Sequence, residues 1–365
     1  MNSIILSIVG FLVVLTILVV VHEFGHYLFA RICGVKVEAF AVGFGKELIG
    51  FTDKHNTRWK ICMLPLGGYV KLYGHNQFMR KDGTSEELDP SITFDDKPNY
   101  QKILIALAGP VFNLLLAILI ISALVFTKGI PDTLPIVEEV IKESPAAKAG
   151  IQKGDIIAYI NGAKINYFSD IVRTLDQEYH KPHNLSANMI LTLNIIRYDE
   201  DLRVKVTPIK NEQGRRILGI VGNFDKDLIY RKISLFKAMQ IGIMKTAQDT
   251  LAIANEIRSM VTNNADLNQF GGVISIADYS GKAFAKGAEI LLSFIAILSI
   301  NLAVINLVPI PGLDGGHIMI YLSSMVLKRS FVEKISVYLL PFGIFLLIFL
   351  MLIANLNDVF KYFIK

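Results

Sequence analysis

Four long uncharged segments dominate the pattern of hydrophobic and polar positions along the chain. These segments are residues 4–21, 103–127, 290–313 and 335–356. Each is close to the roughly 20 residues that an α-helix needs to cross the hydrocarbon core of a bilayer. The pattern therefore predicts a polytopic α-helical membrane protein with about four transmembrane helices in a lipid bilayer, the first of them extending over residues 1–30.

The connection between the first two helices, residues 31–102, contains two stretches with features of β-strands. Residues 35–45 alternate in part between apolar and polar side chains, and residues 59–72 form a second extended stretch after a plausible turn at 53–56. We predict a β-hairpin here. An ordinary hairpin that caps the helices and has no part in substrate binding remains an alternative. Residues 76–99 are polar and are predicted to form a surface loop.

Between the second and third apolar segments the composition becomes that of a soluble domain, which we assign to residues 134–208. A helix is expected at 168–178, with strands near 189–197 and 202–207. The following region, 225–285, mixes apolar and polar residues. Residues 232–262 are predicted to form amphipathic helices that lie on the membrane surface or pack against the helix bundle.

Composition agrees with a membrane protein that carries a soluble insert. Of the 365 residues, 52% are hydrophobic and 19% are charged, and the mean hydropathy is +0.46. The net charge of +5 is modest and dispersed, so nothing indicates a nucleic-acid partner. Cys33 and Cys62 lack metal-binding spacing, and we interpret both as packing residues.

Candidate chemistry lies at the end of the first apolar segment, in the sequence His22-Glu23-Phe24-Gly25-His26. Positions four apart share one face of a helix, so His22 and His26 can offer two imidazoles to one zinc ion, with Glu23 beside them as a general base. Ionisable groups in a bilayer cost on the order of 2.5–3.5 kcal/mol each and are functional candidates by default. The alternative is a helix end whose polar side chains simply meet the lipid headgroups.

A catalytic zinc ion usually takes three protein ligands and a water molecule, so a third ligand is required elsewhere. The best candidate is Asp314, which follows the third apolar segment within the sequence NLVPIPGLDGGH, residues 306–317. Two prolines and three glycines are expected to unwind this helix end. Free backbone groups at membrane depth are tolerated where they line a cavity, which suits a metal site.

These motifs resemble the site-2 protease family of intramembrane metalloproteases. HEFGH matches the family's HExxH, NLVPIPGLDG matches its NxxPxPxLDG, and AGPVFN, residues 108–113, matches its AGPxxN. The resemblance implies that His22, His26 and Asp314 are ligands of Zn²⁺, that Glu23 is catalytic and that Asn306 lies near the substrate. His317 follows the matched motif, and we expect it to have an interfacial or structural role.

The resemblance also implies that the hairpin dips into the membrane and offers an exposed edge to an extended substrate. Strand addition to such an edge supplies main-chain hydrogen bonds. The candidates for substrate binding in the hairpin are Gly43, Gly45, Gly67 and Gly68. For Asn113, orientation of a catalytic element or substrate and an ordinary interhelical hydrogen bond are equally open.

The soluble domain carries a second resemblance. The sequence SPAAKAGIQKGDIIAYING, residues 144–162, is similar to the PDZ domains of bacterial proteases. A PDZ domain binds an extended peptide or a C-terminus by strand addition. Many bacterial site-2 proteases have two such domains in tandem, whereas this chain has room for one.

Orientation in the membrane follows from the basic residues near the helix ends. Lys and Arg concentrate in the first connection and in residues 314–334, so both are predicted to be cytoplasmic. The active site then lies near the cytoplasmic face of a bacterial inner membrane, with the PDZ domain on the external, periplasmic side. Residues 1–3 lack a basic signal region, so the first helix is expected to be retained.

The resulting hypothesis is a zinc endopeptidase that cleaves single-span membrane proteins during regulated intramembrane proteolysis. The resemblance implies substrates such as anti-sigma factors or remnant signal peptides. A competing hypothesis is a PDZ-bearing membrane adaptor with a non-catalytic metal site. Glu23 argues against the adaptor, because structural zinc needs no general base. A metal transporter is disfavoured because the chain lacks repeated polar spans.

Overall fold

A computed structural model describes residues 2–75, 89–179, 190–210, 216–223, 228–262, 271–327 and 329–360. Most of the predicted polar loop, residues 76–88, lies outside the described residues. The same holds for residues 225–227 and 263–270 of the predicted amphipathic region. The chain divides into two compact units, one made of Met1–Leu124 with Leu235–Lys365, and the other of Val125–Ser234.

The helices of the described chain are α1 (Asn2–Ile32), α2 (Asn99–Lys128), α3 (Pro145–Lys148), α4 (Phe168–Tyr179), α5 (Leu235–Thr262), α6 (Val273–Ala285), α7 (Ala288–Leu307), α8 (Asp314–Val326) and α9 (Arg329–Val359). The strands are β1 (Val37–Thr52), β2 (Arg58–Leu72), β3 (Ile130–Asp132), β4 (Glu139–Val140), β5 (Ile156–Ile160), β6 (Ala163–Lys164), β7 (Leu191–Arg197), β8 (Glu200–Val206), β9 (Ile209–Lys210), β10 (Arg216–Ile217), β11 (Ile220–Val221) and β12 (Ile229–Arg231).

Four helices of the described chain are long and apolar enough to cross a membrane, namely α1, α2, α7 and most of α9. They correspond to the four uncharged segments. The third segment differs in one respect, because α7 ends at Leu307 and residues 308–313 leave the helix. Helix α1 runs beyond the first uncharged segment to Ile32, so the HEFGH sequence lies inside a helix of 31 residues.

Helices α1, α2 and α7 pack around one apolar cluster that includes Val14, Ile120 and Ile300. Small residues bring other helices of this unit close together. A Cβ atom on Gly10 of α1 would lie 2.7 Å from the carbonyl oxygen of Ser280 in α6. Close backbone approach at small residues is a common way for helices to associate in membranes, where burial of apolar surface gives little driving force.

The N-terminus of α6 is held by the last helix of the chain. Asn355 of α9 accepts a hydrogen bond from the backbone N–H of Val273 at 3.0 Å. Asp358 accepts from the N–H of Ser275 at 2.8 Å and from its hydroxyl at 2.5 Å. Backbone N–H groups in the first turn of a helix have no intrahelical partner, so these side chains satisfy donors that would otherwise be unpaired.

Strands β1 and β2 form an antiparallel hairpin joined by residues 53–57. Asp53 Oδ1 closes the turn by accepting from the N–H groups of His55 and Thr57, at 2.8 and 3.0 Å. Both strands are long and bend, so Phe40 lies opposite Val70 and also opposite Trp59. Large apolar side chains project from the hairpin into the surroundings, with Leu48 and Ile49 more than 60% exposed.

The second unit contains a four-stranded sheet in the order β6-β5-β7-β8 and three smaller pairs of strands. Helix α3 begins after Ser144, whose hydroxyl accepts from the N–H of Ala147 at 3.2 Å. The helix predicted at 168–178 corresponds to α4, and the predicted strands correspond to β7 and β8. The core of this second unit is formed by buried apolar residues that include Val137, Ile151, Ile157, Ile160, Leu175, Leu191, Leu193 and Ile195.

A buried ion pair ties β7 of this unit to the loop before β5. Asp155 is 1% exposed, and its two carboxylate oxygens each lie 2.7 Å from a guanidinium nitrogen of Arg197. Burial opposes ionisation of Asp155, but the Arg197 guanidinium and the N–H of Gln152 hold its pKa below the ordinary value of 3.8. The pair therefore stabilises the folded unit most when Asp155 is ionised.

We expect Asp155→Asn to destabilise this unit at neutral pH, because it removes the ionised carboxylate that holds Arg197 through two charge-assisted hydrogen bonds. A carboxyl whose pKa is lowered by folding contributes stability above its unfolded pKa and loses it as the pH falls through the folded pKa. The difference between variant and wild type should therefore shrink below pH 3.8. Amide hydrogen exchange of residues 156–160 in the full chain measures it.

Lys153→Gln is the matched control for this pair. Lys153 donates to Glu138 at 2.6 Å, but the two side chains are 71% and 43% exposed. Exposed pairs contribute about 1 kcal/mol or less. An equal loss of protection in the two variants would contradict a special role for the buried pair.

Candidate functional site

Helix α1 places His22, Glu23 and His26 on the wall of one cavity. The two histidines lie one turn apart, and their Nε2 atoms are 3.2 Å from each other. This is the result of the i, i+4 spacing within a continuous helix. Glu23 lies beside them, so the three polar side chains form one group within an otherwise apolar helix.

Asp314 joins this group because the chain changes direction after α7. Pro309 and Pro311 lack the N–H groups that would continue the helix, and Gly312 has a φ of +99°, a conformation that favours glycine. The chain then enters α8 at Asp314. One carboxylate oxygen of Asp314 lies 3.2 Å from Nε2 of His22, and the other lies 3.5 Å from Nε2 of His26.

His22, His26 and Asp314 have the chemistry and spacing of a zinc site. Their ligand atoms lie within 4.8 Å of one another. Two imidazole nitrogens and one carboxylate oxygen are typical zinc ligands, and three protein ligands leave a position for water. Asn306 is adjacent, since its Nδ2 lies 3.4 Å from Nε2 of His22. The residues therefore fit the metal that the sequence predicts.

Helix α2 supports both imidazoles from the other side. Nδ1 of His26 lies 2.8 Å from the carbonyl oxygen of Ile105, and Nδ1 of His22 lies 3.1 Å from Nδ2 of Asn113. Metal-binding histidines commonly use their second nitrogen in such a contact, which fixes the direction of the ring. Each Nε2 is thereby left to face Asp314.

Two glycines allow α2 to approach α1 closely enough for these contacts. A Cβ atom on Gly25 would overlap the carbonyl oxygen of Ala108. A Cβ atom on Gly109 would overlap Nε2 of His26 and lie 2.7 Å from Cε1 of His22. Gly109 therefore provides the space that the two imidazoles occupy.

The cavity has a volume of about 550 Å³ and is bounded by α1, the hairpin and the segment around Asp314. Its lining includes Glu23, Asn306, Gly67 and Gly68. A Cβ atom on Gly68 would lie 2.7 Å from Cγ1 of Val19 and 3.3 Å from Cγ of Glu23, so the hairpin backbone passes directly beside α1. An extended peptide in this cavity would have the hairpin backbone within reach.

The other predicted site residues, Gly43, Gly45 and Asn113, are described but lie outside this lining. Gly43 and Gly45 have φ values of +88° and +86°, which indicates a role in the bend of β1. Asn113 is completely buried behind His22. His317 does line the cavity, one turn after Asp314, and burial together with nearby His75 lowers its pKa, so it is neutral at physiological pH.

Several parts of the site carry no signal in the sequence. The contact of His26 with the Ile105 carbonyl could not be predicted, because every residue has a backbone carbonyl. Phe44, Tyr69 and Tyr321 also line the cavity, but each reads as an ordinary apolar residue of a strand or helix. The contact of Gly109 with both histidines could not be predicted either, because it depends on the relative placement of α1 and α2.

Comparison with solved structures finds the PDZ domain of an SdrC-like protein from Listeria monocytogenes. It is 20% identical, covers 24% of this chain and 85% of that domain, and has a TM-score of 0.20.

Bacterial proteins of known sequence are similar to this chain over nearly its whole length. A protein of Rickettsia conorii named as a zinc metalloprotease is 37% identical over 97% of this chain and 98% of its own length. Metalloprotease MmpA of Caulobacter vibrioides is 32% identical over 99% of this chain and 97% of its own length. The model of peptidase family M50 matches residues 10–350. The resemblance to the site-2 proteases is thus confirmed, and the chain belongs to peptidase family M50, a family of zinc metalloproteases.

Proposed function

We propose that this protein is an intramembrane endopeptidase that cleaves single-span membrane proteins within or near their transmembrane segment. One observation carries the proposal: the Glu23 carboxylate and two imidazoles of α1, a helix of membrane-spanning character, share a cavity with Asp314 at the start of α8. Ionisable side chains within a membrane have a large free-energy cost, so a group of four indicates a functional site. In this proposal His22, His26 and Asp314 hold zinc.

Each side chain has a distinct part in peptide hydrolysis. Zinc bound by the three ligands would polarise the scissile carbonyl and lower the pKa of a water molecule. Glu23 accepts a proton from the attacking water and later donates it to the leaving nitrogen. Nδ2 of Asn306 lies 3.4 Å from Nε2 of His22. From there it can donate a hydrogen bond to the carbonyl oxygen of a substrate bound beside His22.

The substrate is expected to bind in an extended form along the hairpin. Gly67, Gly68, Tyr69 and Val70 line the cavity, and this part of β2 pairs with β1 through residues such as Val42 and Phe40. A peptide bond inside a helix is shielded by its own hydrogen bonds, so unwinding and strand addition would expose it to Glu23. The exposed apolar side chains of the hairpin support contact with lipid.

The unit Val125–Ser234 is proposed to act as a PDZ domain that binds an extended peptide or a C-terminus. We place the protein in a bacterial cytoplasmic membrane, with the catalytic site near the cytoplasmic face and this domain outside. The distribution of Lys and Arg in the connections supports that orientation. Regulated cleavage of anti-sigma factors or remnant signal peptides is the biological role that fits best.

A paired-substrate experiment tests the proposal. One cleavable sequence is placed in the membrane span of a single-span protein, and in a second version it is placed in a flexible soluble linker. We expect the purified protein to cleave the first version at least tenfold faster, since only that version enters the membrane-embedded cavity. A chelator should stop cleavage, and added zinc should restore it.

Glu23→Gln serves as the control for contaminating proteases in both assays. Faster cleavage of the soluble version would contradict intramembrane specificity. Zinc binding without cleavage of either version would instead favour the adaptor hypothesis.

A further inference from the structure

Asn113 is a buried polar residue that peptide hydrolysis, as derived above, does not use. It lies on α2 and is 0% exposed, and its backbone carbonyl oxygen accepts a hydrogen bond from the hydroxyl of Ser299 at 2.8 Å. Its amide lies 3.1 Å from Nδ1 of His22. Complete burial excludes contact with a substrate and leaves His22 as the group on which Asn113 can act.

The chemistry of His22 decides what this contact must be. Nε2 of His22 faces Asp314 at 3.2 Å and is therefore the nitrogen that a metal would use. A neutral imidazole that binds a metal through Nε2 carries its proton on Nδ1. Nδ1 then donates a hydrogen bond, and its partner has to be an acceptor.

The Asn113 amide can supply that acceptor through Oδ1. Its Oδ1 atom is buried and has no hydrogen-bond partner among the described residues. The two ends of an amide have nearly the same shape, so the same side-chain position can present Oδ1 to Nδ1. This orientation gives the Nδ1–H group of His22 an acceptor and gives the buried oxygen a donor.

His26 shows the same arrangement with a partner whose identity is fixed. Its Nδ1 lies 2.8 Å from the carbonyl oxygen of Ile105, which can only accept. Both histidines thus present Nε2 to Asp314 while Nδ1 faces α2. At His22 the backbone of α2 offers no such carbonyl contact, and a side chain takes its place.

We propose that Asn113 is a positioning residue of the metal centre. It accepts a hydrogen bond from Nδ1–H of His22, which fixes the protonated nitrogen and the ring direction and so holds Nε2 toward the metal. This inference rests on the zinc site of the proposed function. Loss of such outer contacts typically lowers metal affinity or activity by about 10–100-fold.

Zinc affinity, measured by competition with a chelator, tests the proposal without relying on proteolysis. Asn113→Leu has a similar volume but no acceptor, and we expect it to bind zinc about 10–100-fold more weakly. Asn113→Asp keeps an oxygen acceptor at the same position, and we expect its affinity to equal or exceed that of the wild type. The Co²⁺-loaded protein should show a changed visible spectrum in the Leu variant and a near-native one in the Asp variant.

Ser299→Ala is the matched control, because it removes the hydrogen bond to the Asn113 backbone and leaves the amide side chain intact. Wild-type zinc affinity in Asn113→Leu would overturn the proposal and leave a role in helix packing. Equal loss in the Leu and Asp variants would overturn it as well, since the amide would then be acting as a donor. A wild-type protein that binds zinc but cleaves nothing would defeat the proposed function and leave this test unaffected.

Discussion

Glu23→Gln is expected to lower the rate of peptide cleavage by about 10²–10⁴-fold while zinc stays bound, because a glutamine cannot accept or release the proton. Glu23 lines the cavity beside the candidate ligands but contributes no ligand atom to the His22, His26 and Asp314 cluster. The measurement is cleavage of a model single-span substrate alongside the zinc content of the purified variant.

Asp314→Asn separates proton transfer from metal binding. It replaces a carboxylate that lies 3.2 Å from His22 and 3.5 Å from His26, so both zinc content and cleavage should fall together. Near wild-type cleavage by Glu23→Gln would rule out the proposed mechanism. Loss of zinc from Glu23→Gln would instead move Glu23 into the ligand set.

Gly109→Ala is the second change for which we expect a large effect. The added methyl group would overlap Nε2 of His26 and press on His22, so both imidazoles have to shift from their positions beside Asp314. Disturbing the contacts that orient metal ligands typically lowers metal affinity, so zinc affinity should fall by at least about 10-fold. The rate of cleavage should fall with it. Alanine is favoured over glycine in helices by about 1 kcal/mol, so weaker helix formation does not explain such a loss.

Leu119→Ala is the control on the same helix. Leu119 is 67% exposed, and its truncation should leave zinc affinity unchanged. Circular dichroism and thermal unfolding of both variants separate a displaced metal site from a misfolded protein. Unchanged zinc affinity in Gly109→Ala would contradict the tight packing of α2 against the histidines.

The parts of the site that the sequence predicts are those whose chemistry is carried by side chains at fixed local spacing. His22 and His26 lie one turn apart in any helix, and Asp314 stands in a motif whose prolines forbid helix continuation. The transmembrane helices follow from length and apolarity alone. None of these inferences needs knowledge of the tertiary structure.

The remainder depends on which helices meet. The carbonyl of Ile105 becomes an acceptor for His26 only because α1 and α2 cross at Gly25 and Gly109. The double pairing of Phe40, opposite both Val70 and Trp59, reflects bending of long strands, which period-two alternation does not encode. The packing of α1 past His26 has a similar origin, since Phe29 and Ala30 belong to an apolar cluster that also contains Val70 of the hairpin and Ile105 of α2.

The order in which the metal-site residues are synthesised has a consequence for biogenesis. His22 and Asn306 are separated by 284 residues, and the whole of Val125–Ser234 is made between them. A ribosome-bound chain that ends before Asp314 has two imidazoles with their partners on α2 but lacks the third ligand that catalytic zinc sites require. Under the proposed function, the chain therefore acquires its complete set of metal ligands, and with it the capacity for hydrolysis, only after Asp314 has been synthesised.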